Sequence, residues 1–465
     1  MPTSWAEAIS PATADPAPFR RTAHPFPRRH HPLRTSSMTV ADFLSKHRFS
    51  PRVDSEALLA EFDRQMDAGL TGRPSSLAMI PAYVDSSRAV PTDTPIIVLD
   101  AGGTNLRVAV VWFDKSGRPR IEDFQKYAMP GTAGVRLSAE DFFDTFAEFL
   151  VPVCQRSDAV GFCFSYPTEI LPNLDGRLLR WSKQVDAPEV VGRLVGSSVA
   201  DAVFRKTGRR LSLRVLNDTV ATLLAGKSAG ISRRYSSYVG MILGTGTNVA
   251  YIERNGRIGK ISADPAGSMI INVESGSFDG VPRSDFDDAA CARLGSSEGL
   301  FEKMISGAYV GSVGLEALRA AAADGLFSEP AAKALLALDR LSTIDFDNFT
   351  ANPFLDKGAL ADVPFTEDDR RTAMAVGEPV FLRAAGLTAV NIAAAVLRTG
   401  EGRDPLHPVC VTIDGSTYYK TRSAMFKSRV EQGLRDLLGP RGVHFETIAV
   451  DDAPMIGSAV AGLIA

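Results

Sequence analysis

The sequence predicts an α/β protein made of two similarly organised halves. Residues 95–217 alternate apolar, β-branched runs with amphipathic stretches. A second alternation of the same kind starts at Tyr238. Each opens on the same unit, two apolar runs around a Gly/Thr-rich turn: LDAGGTNLRV (99–108) in the first half and ILGTGTNVAY (242–251) in the second.

The elements follow in order. Residues 38–69 carry a helical pattern, with Phe43 and Leu44, then Leu58, Leu59 and Phe62 after Asp54-Ser55. TGRPSSLAMIPAYVD (71–85) reads as a punctuated linker. Strands are predicted over 95–100, 106–113, 159–164 and 211–216, and helices over 139–150 and 189–205. Beyond the second hairpin, 285–338 and 367–399 are helical. A buried strand (408–413), a helix (421–438), a strand (443–450) and a terminal helix complete the chain. The most apolar stretch, 387–397, is interrupted by Thr388 and Asn391 and reads as a buried helix; no run reaches the ~18 apolar residues of a membrane span.

Composition narrows the function classes. At ~150 residues per domain, 465 residues suggest two or three domains. With 45% hydrophobic and 23% charged residues, the chain has material for a large core. A net charge of −3 creates no field favouring nucleic acid or an anionic membrane, so neither is expected as a partner. Cys154, Cys163, Cys291 and Cys410 form no CxxC, and none lies beside a histidine, which argues against zinc and against a disulfide framework. A reducing cytoplasmic interior is the expected location. Residues 1–37 are rich in Pro, Arg and His and lack the apolar region of a secretory signal. They are expected to be a disordered extension, or to precede a true start at Met38.

Neither glycine-rich turn is a Walker A loop, which needs Lys-Ser/Thr after the glycines, nor a GxGxxG opening a helix. Each alone reads as a turn. Together, with Asp100 ending the first strand, they offer backbone N–H groups and threonine hydroxyls to a polyphosphate from two sides. Asn217-Asp218-Thr219 lies where a strand meets a helix. That position suits an N-cap, and equally a carboxylate that accepts a proton from an attacking hydroxyl. Lys183 on a loop, Glu274 at a strand end, and Glu302 and Lys303 on an amphipathic segment read singly as solvated side chains.

Jointly the motifs resemble the eukaryotic hexokinase/glucokinase family. SSLAMIPAYV, LDAGGTNLRV, GFCFSYP, RWSKQV, LNDTVATLLAG, VGMILGTGTNVAYIE, INVESGSF, FEKMISGAYVG and VTIDGSTYYK occur in that family's order, from about Ser75 to the C-terminus. The resemblance implies a two-lobed actin-like ATPase (ribonuclease-H-like) fold with sugar and ATP in the cleft. The small lobe is expected over 85–216 plus 451–465, and the large lobe over 38–84 plus 217–450. It implies ATP-dependent phosphorylation of a hexose at the 6-hydroxyl, with glucose, fructose or mannose as acceptor, feeding glycolysis. Asp218 matches the catalytic base, with Lys183 beside the transferring group. Ser165, Ser182, Lys183, Asn217, Asp218, Asn248, Glu274 and Glu302 match sugar-binding positions. Asp100, Gly103, Thr104, Asn105 and Arg107 match the first phosphate segment, and Gly244, Thr245, Gly246 and Thr247 the second. Asp414, Gly415 and Ser416 match the segment near adenosine. Asp100 is expected to hold Mg²⁺ through water. The implied assembly is a monomer or homodimer.

The chain departs from the family in four places. Serine stands at 182 where threonine is frequent, and Ser275-Gly276 follow Glu274 where Trp-Gly is common. Glu298-Gly299 occupy a place where glutamine is frequent, and 451–462 lack the Gly-Ser-Gly-Lys run of many members. A non-catalytic sugar sensor on the same fold would need an eroded base or phosphate site, whereas Asp218, Lys183 and both hairpins are intact. A ROK-type kinase or repressor would need a zinc-binding cysteine cluster that is absent.

Overall fold

The computed structural model describes residues 38–85, 88–132, 134–181, 185–229 and 233–464. Helices α1 (Val40–Lys46) and α2 (Ser55–Leu70) come first, capped by Thr39 and Asp54. The linker that follows contains a two-residue strand, β1 (Ile80–Pro81). The first half then runs β2 (Ile96–Ala101), β3 (Asn105–Phe113), β4 (Pro119–Ala128), α3 (Ala139–Leu150) and β5 (Ala159–Phe164). It continues through β6 (Thr168–Ile170), β7 (Gly176–Leu178), α4 (Val195–Thr207), β8 (Ser212–Leu216) and α5 (Asp218–Ala229).

The second half opens with β9 (Ser237–Leu243), β10 (Thr247–Arg254) and β11 (Ser268–Asn272). Six helices follow: α6 (Asp285–Leu294), α7 (Leu300–Ile305), α8 (Val310–Ala323), α9 (Glu329–Ala337), α10 (Thr343–Ala351) and α11 (Glu367–Thr399). The chain ends with β12 (Val409–Asp414), α12 (Ser416–Lys420), α13 (Phe426–Leu438), β13 (Phe445–Ile448) and α14 (Ala453–Ile464).

The first sheet has the order β4-β3-β2-β5-β8 and the second β1-β11-β10-β9-β12-β13. In each, an antiparallel meander (β2-β3-β4 or β9-β10-β11) pairs through its first strand with a parallel pair (β5-β8 or β12-β13). The halves therefore repeat one topology, and α5 and α14 are equivalent, each following the last strand of its sheet. The short β6-β7 ribbon stands apart.

Three differences from the sequence expectations have physical causes. β4 is exposed along nearly its whole length and carries no core-facing alternation; pairing with β3 makes it a strand. β1 lies inside the punctuated linker, and its Pro81 is tolerated because it sits at the sheet edge, against β11. The α11 helix is 33 residues long, and length and composition alone would let it cross a membrane, yet 83% of its most apolar window is buried inside the protein.

Close packing between the halves centres on α5 and α14. One apolar core joins Ile96, Val98 and Val111 of the first sheet, Val220 and Leu223 of α5, Ala250 and Ile270 of the second sheet, and Ile456 and Val460 of α14. Glycine makes the contact possible. A Cβ at Gly457 would lie 1.7 Å from the Ala221 carbonyl oxygen, and one at Gly161 of β5 would lie 1.9 Å from that of Ser458. On the other side of α5, a Cβ at Gly240 of β9 would come within 2.5 Å of Leu223 N. Gly161→Ala or Gly457→Ala is therefore expected to cost about 1–3 kcal/mol or more. Gly256→Ala, whose added carbon would meet only ordinary contacts, the nearest 3.5 Å away at the Pro265 carbonyl oxygen, serves as the control. Urea unfolding midpoints measure both.

Candidate active site

The first hairpin aligns Asp100 of β2 opposite Arg107 of β3. Its turn closes when Gly102 N–H donates to the Asn105 carbonyl (2.9 Å), and the Tyr166 hydroxyl clamps it by donating to the Gly102 carbonyl (2.8 Å). Trp181 packs edge-on against Tyr166, with ring centroids 4.9 Å apart. Ser165 N–H donates to the Ala101 carbonyl (3.1 Å), tying the ends of β5 and β2 together. In the second hairpin, Gly244 N–H bonds the Gly246 carbonyl (3.0 Å), and the Gly244 carbonyl accepts from Gly307 N–H and the Thr417 hydroxyl (both 2.8 Å). Gly102, Gly103, Gly244 and Gly246 all have ordinary negative φ, so glycine serves here for bare backbone rather than for a left-handed turn. The N–H groups of Gly103 and Thr104, and of Thr245 and Gly246, have no acceptor among the described residues. Thr104, Asn105 and Thr245 are exposed. Each turn thus presents a pair of unpaired backbone donors, the arrangement that suits an anion.

Asn217, not Asp218, supplies the cap of the Asn217-Asp218-Thr219 motif. The Asn217 side chain caps α5 by accepting from Thr219 N–H (2.8 Å). Asp218 is thereby released from capping. Its half-buried carboxylate sits in the first turn of α5, where the helix dipole favours negative charge. Its one hydrogen bond among the described residues comes from the neighbouring Thr219 hydroxyl (3.3 Å).

Acidic side chains from both halves converge nearby. Burial pushes the Asp100 carboxyl up, Arg107 opposes that shift, and Asp218 and Asp452 add repulsion. Burial likewise raises Asp414, at the end of β12, and it too feels Asp218, Asp452 and Arg107. Arg107 lies 2.8 Å from Asp100 Oδ2 and 3.2 Å from Asp452 Oδ1, so it braces the hairpin to the start of α14. Its contact with Asp100 lacks hydrogen-bond alignment, and the buried Asp100 Oδ2 has no hydrogen-bond donor. That oxygen, ion-paired with Arg107 but receiving no hydrogen bond, and set in acidic surroundings, fits a hard cation. Among the described residues no cluster of three metal-ligating side chains exists, so such a cation would be completed by water and phosphate oxygens, as Mg²⁺ typically is.

Two recesses flank this centre. One lies where the halves meet and is lined by Pro81, Tyr166, Thr168, Asn217, Asn272 and Glu274. Asn248 donates to Asn272 (2.6 Å), which donates to Glu274 (2.7 Å). Glu302 of α7 accepts from Thr247 N–H (2.9 Å), linking this recess to the second hairpin. Gly246 must be glycine for that approach, because a Cβ there would lie 2.6 Å from Glu302 Oε2. Burial raises the carboxyls of both Glu274 and Glu302. The other recess, with about 920 Å³ of empty space, runs from Thr245 past Thr343 and Asp347 of α10 to Ser416, Thr417 and Arg422. Gly415, at φ +123°, turns the chain beside Leu243, where a Cβ would lie 2.3 Å from backbone.

Family models described as hexokinase match residues 40–228 and 238–464. The chain is 31% identical to Hexokinase-1 of Spinacia oleracea over 433 residues, covering 85% of this chain and 84% of that protein. It is 32% identical to human Hexokinase-3 over 83% of this chain, but spans only 43% of that protein's length. The hexokinase from Schistosoma mansoni complexed with glucose superimposes with a TM-score of 0.72 at 27% identity, over 91% of this chain and 98% of that one. This chain belongs to the hexokinase family. It is a phosphotransferase on the two-lobed actin-like ATPase fold, with an alcohol group as acceptor.

Of the sequence-predicted positions, Asn217 and Glu274 line the first recess, Asn248 bonds its Asn272 wall, Asp218 and Glu302 act electrostatically on Glu274, and Ser165 adjoins Tyr166. Thr245 and Ser416 line the second, with Gly244, Thr247, Asp414 and Gly415 beside it, and Asp100, Gly103, Thr104, Asn105 and Arg107 form the facing hairpin. Ser182 and Lys183 lie outside the described residues. Sequence reasoning missed Tyr166, Asn272, Asp347 and Asp452. Asn272 carried a signal, since two residues before Glu274 it shares the strand face; Asp347 and Asp452 carried none.

The raised Glu274 carboxyl has a stability consequence. A carboxylate whose folded pKa exceeds its unfolded value costs stability as pH rises from about 4.5 through the raised value. Glu274→Gln should melt higher than the parent protein at neutral pH, with the gain fading toward pH 4.5, the ordinary glutamate value. Differential scanning fluorimetry across pH reads the effect, and a lower melting temperature at neutral pH would contradict it.

Proposed function

We propose that this protein transfers the γ-phosphoryl group of ATP to the 6-hydroxyl of a hexose, with glucose, fructose and mannose as candidate acceptors. The observation that carries the reading is the pairing of Asn217 and Asp218. Because Asn217 satisfies the helix end, Asp218 keeps a carboxylate available at the meeting point of both hairpins and both recesses. In this reading Asp218 accepts the proton of the attacking hydroxyl at its carboxylate oxygen.

The recess lined by Asn217, Asn272 and Glu274, with Asn248 bonded behind Asn272 and Glu302 close to Glu274, suits a hexose. Its amides and carboxylates pair with hydroxyls that are both donor and acceptor, and it penalises molecules lacking one. Ser165 lies at its edge, and Ser182 and Lys183 are assigned to the same substrate by the family resemblance. The unpaired N–H groups of Gly103, Thr104, Thr245 and Gly246 support a polyphosphate held between the hairpins. The larger recess, with Thr245, Asp347 and Ser416, suits the nucleoside. Asp100 is the residue that would hold Mg²⁺, which when bound supplies positive charge to the phosphate oxygens. Arg107 braces the hairpin through Asp100 and Asp452. The glucose named for the Schistosoma mansoni structure supports glucose as the first acceptor to test.

Asp218→Ala is expected to lower kcat by about 10²–10⁴-fold while glucose binding persists by calorimetry. Turnover near that of the parent protein would overturn the assignment. An initial-rate panel of glucose, fructose, mannose and glucosamine with ATP tests the substrate class, and negligible rates on all four would overturn it.

A further inference from the structure

We infer that Asn272 is a positioning residue for hexose recognition, because it fixes through one directed chain of hydrogen bonds which atoms of Asn248 and Glu274 meet the sugar. The inference rests on the proposed function above. Asn272 ends β11, is 5% exposed, and pairs in register with Ala250 of β10 and Ile80 of β1. Asn248 is two residues before Ala250, and Glu274 two residues after Asn272, so the three side chains meet on one face.

The chain has a fixed direction. Val249 N–H (2.7 Å) and Ser275 N–H (3.2 Å) both donate to Asn248 Oδ1. Backbone donors cannot reverse, so Asn248 must turn its Nδ2 toward Asn272 Oδ1 (2.6 Å). Asn272 then has only Nδ2 to offer Glu274 Oε1 (2.7 Å), and an ionised carboxylate only accepts. Flipping the Asn272 amide would set oxygen against carboxylate and amide against amide, so the network itself assigns the orientation. The origin of the chain is anchored in the core: Ser275 is fully buried and its hydroxyl accepts from Asn391 Nδ2 of α11 (3.1 Å). Ser275 stands where the family commonly has tryptophan, so this anchor goes with the departure noted in the sequence.

The chain decides what remains for a ligand. Glu274 Oε1 is engaged, and Oε2 has no hydrogen-bond partner among the described residues. The second amide hydrogen of Asn248 has only a long 3.5 Å contact with Glu274 Oε1. One acceptor and one donor are thus left for neighbouring hexose hydroxyls. Glu274 also needs holding, because its backbone is left-handed at φ +59°, a strained state for a non-glycine residue. Its charge is opposed by burial, by Asp218 of α5 and by Glu302 of α7, and supported by the Asn272 bond and by Arg180.

The test compares the parent protein with Asn272→Ala and Asn272→Asp. Asn272→Ala should raise KM for glucose about tenfold or more, leave KM for ATP and kcat little changed, and move the acid limb of kcat/KM for glucose to higher pH. Asn272→Asp should lose more at neutral pH and recover in part as pH falls, when one proton shared with Glu274 restores the donor. An unchanged glucose KM would overturn the inference. So would a rise in the KM for both glucose and ATP together with a fall in kcat and melting temperature, the mark of a merely structural residue. If the parent protein phosphorylates no hexose, the proposed function fails; calorimetric glucose binding by the parent and by Asn272→Ala then decides the inference separately, and equal affinity, or no binding, would overturn it.

Discussion

The close approach of α5 and α14 is the constraint on which the site depends. The two helices are topological equivalents, and they meet through Gly457 against Ala221, with Gly161 of the first sheet against Ser458 and Gly240 of the second against Leu223. Any Cβ at these positions would occupy space already filled by backbone. The sheets are therefore brought to a fixed separation by backbone-to-backbone contact, which tolerates little adjustment. Because α5 begins at Asp218, the same contact sets where that carboxylate sits between the two hairpins.

The electrostatics follow from this placement. Strand ends and helix starts of both halves point into one space, bringing Asp100, Asp218, Asp414 and Asp452 together with Arg107. The hairpins contribute unpaired N–H groups to the same region. Isolated, such a set of acids would repel an incoming polyphosphate. With Arg107 among them, an Asp100 oxygen that receives no hydrogen bond and backbone donors on both sides, the region suits a nucleotide that arrives with a divalent cation. The buried carboxyls of Glu274 and Glu302 are likewise raised by burial, so their charges are held at the expense of the free protein's stability.

Much of this was legible from sequence where local chemistry decides the outcome. β-branched runs around Gly/Thr turns marked both hairpins, and their recurrence marked the duplicated halves. The helix over 139–150 followed from amphipathic spacing. What long-range pairing decides was not legible. β4 is a strand only because β3 pairs with it, and β1 only because β11 does. Arg107 could be read as a phosphate-segment residue, but Asp452, 345 positions away in sequence, gives it a bracing contact. The motif at 217–218 did not say which side chain caps the helix, and only the geometry of Asn217 answers that. The far wall of the larger recess, at Asp347, comes from a helix with no motif of its own.

The central claim is that the cleft transfers a phosphoryl group to one particular hydroxyl of a hexose. The most direct measurement is product identification by phosphorus and proton NMR after incubating the protein with glucose, ATP and Mg²⁺. The account predicts a single phosphate ester at the 6-position, formed in equal amount with ADP. Phosphorylation at another position, or release of inorganic phosphate without ester formation, would contradict it.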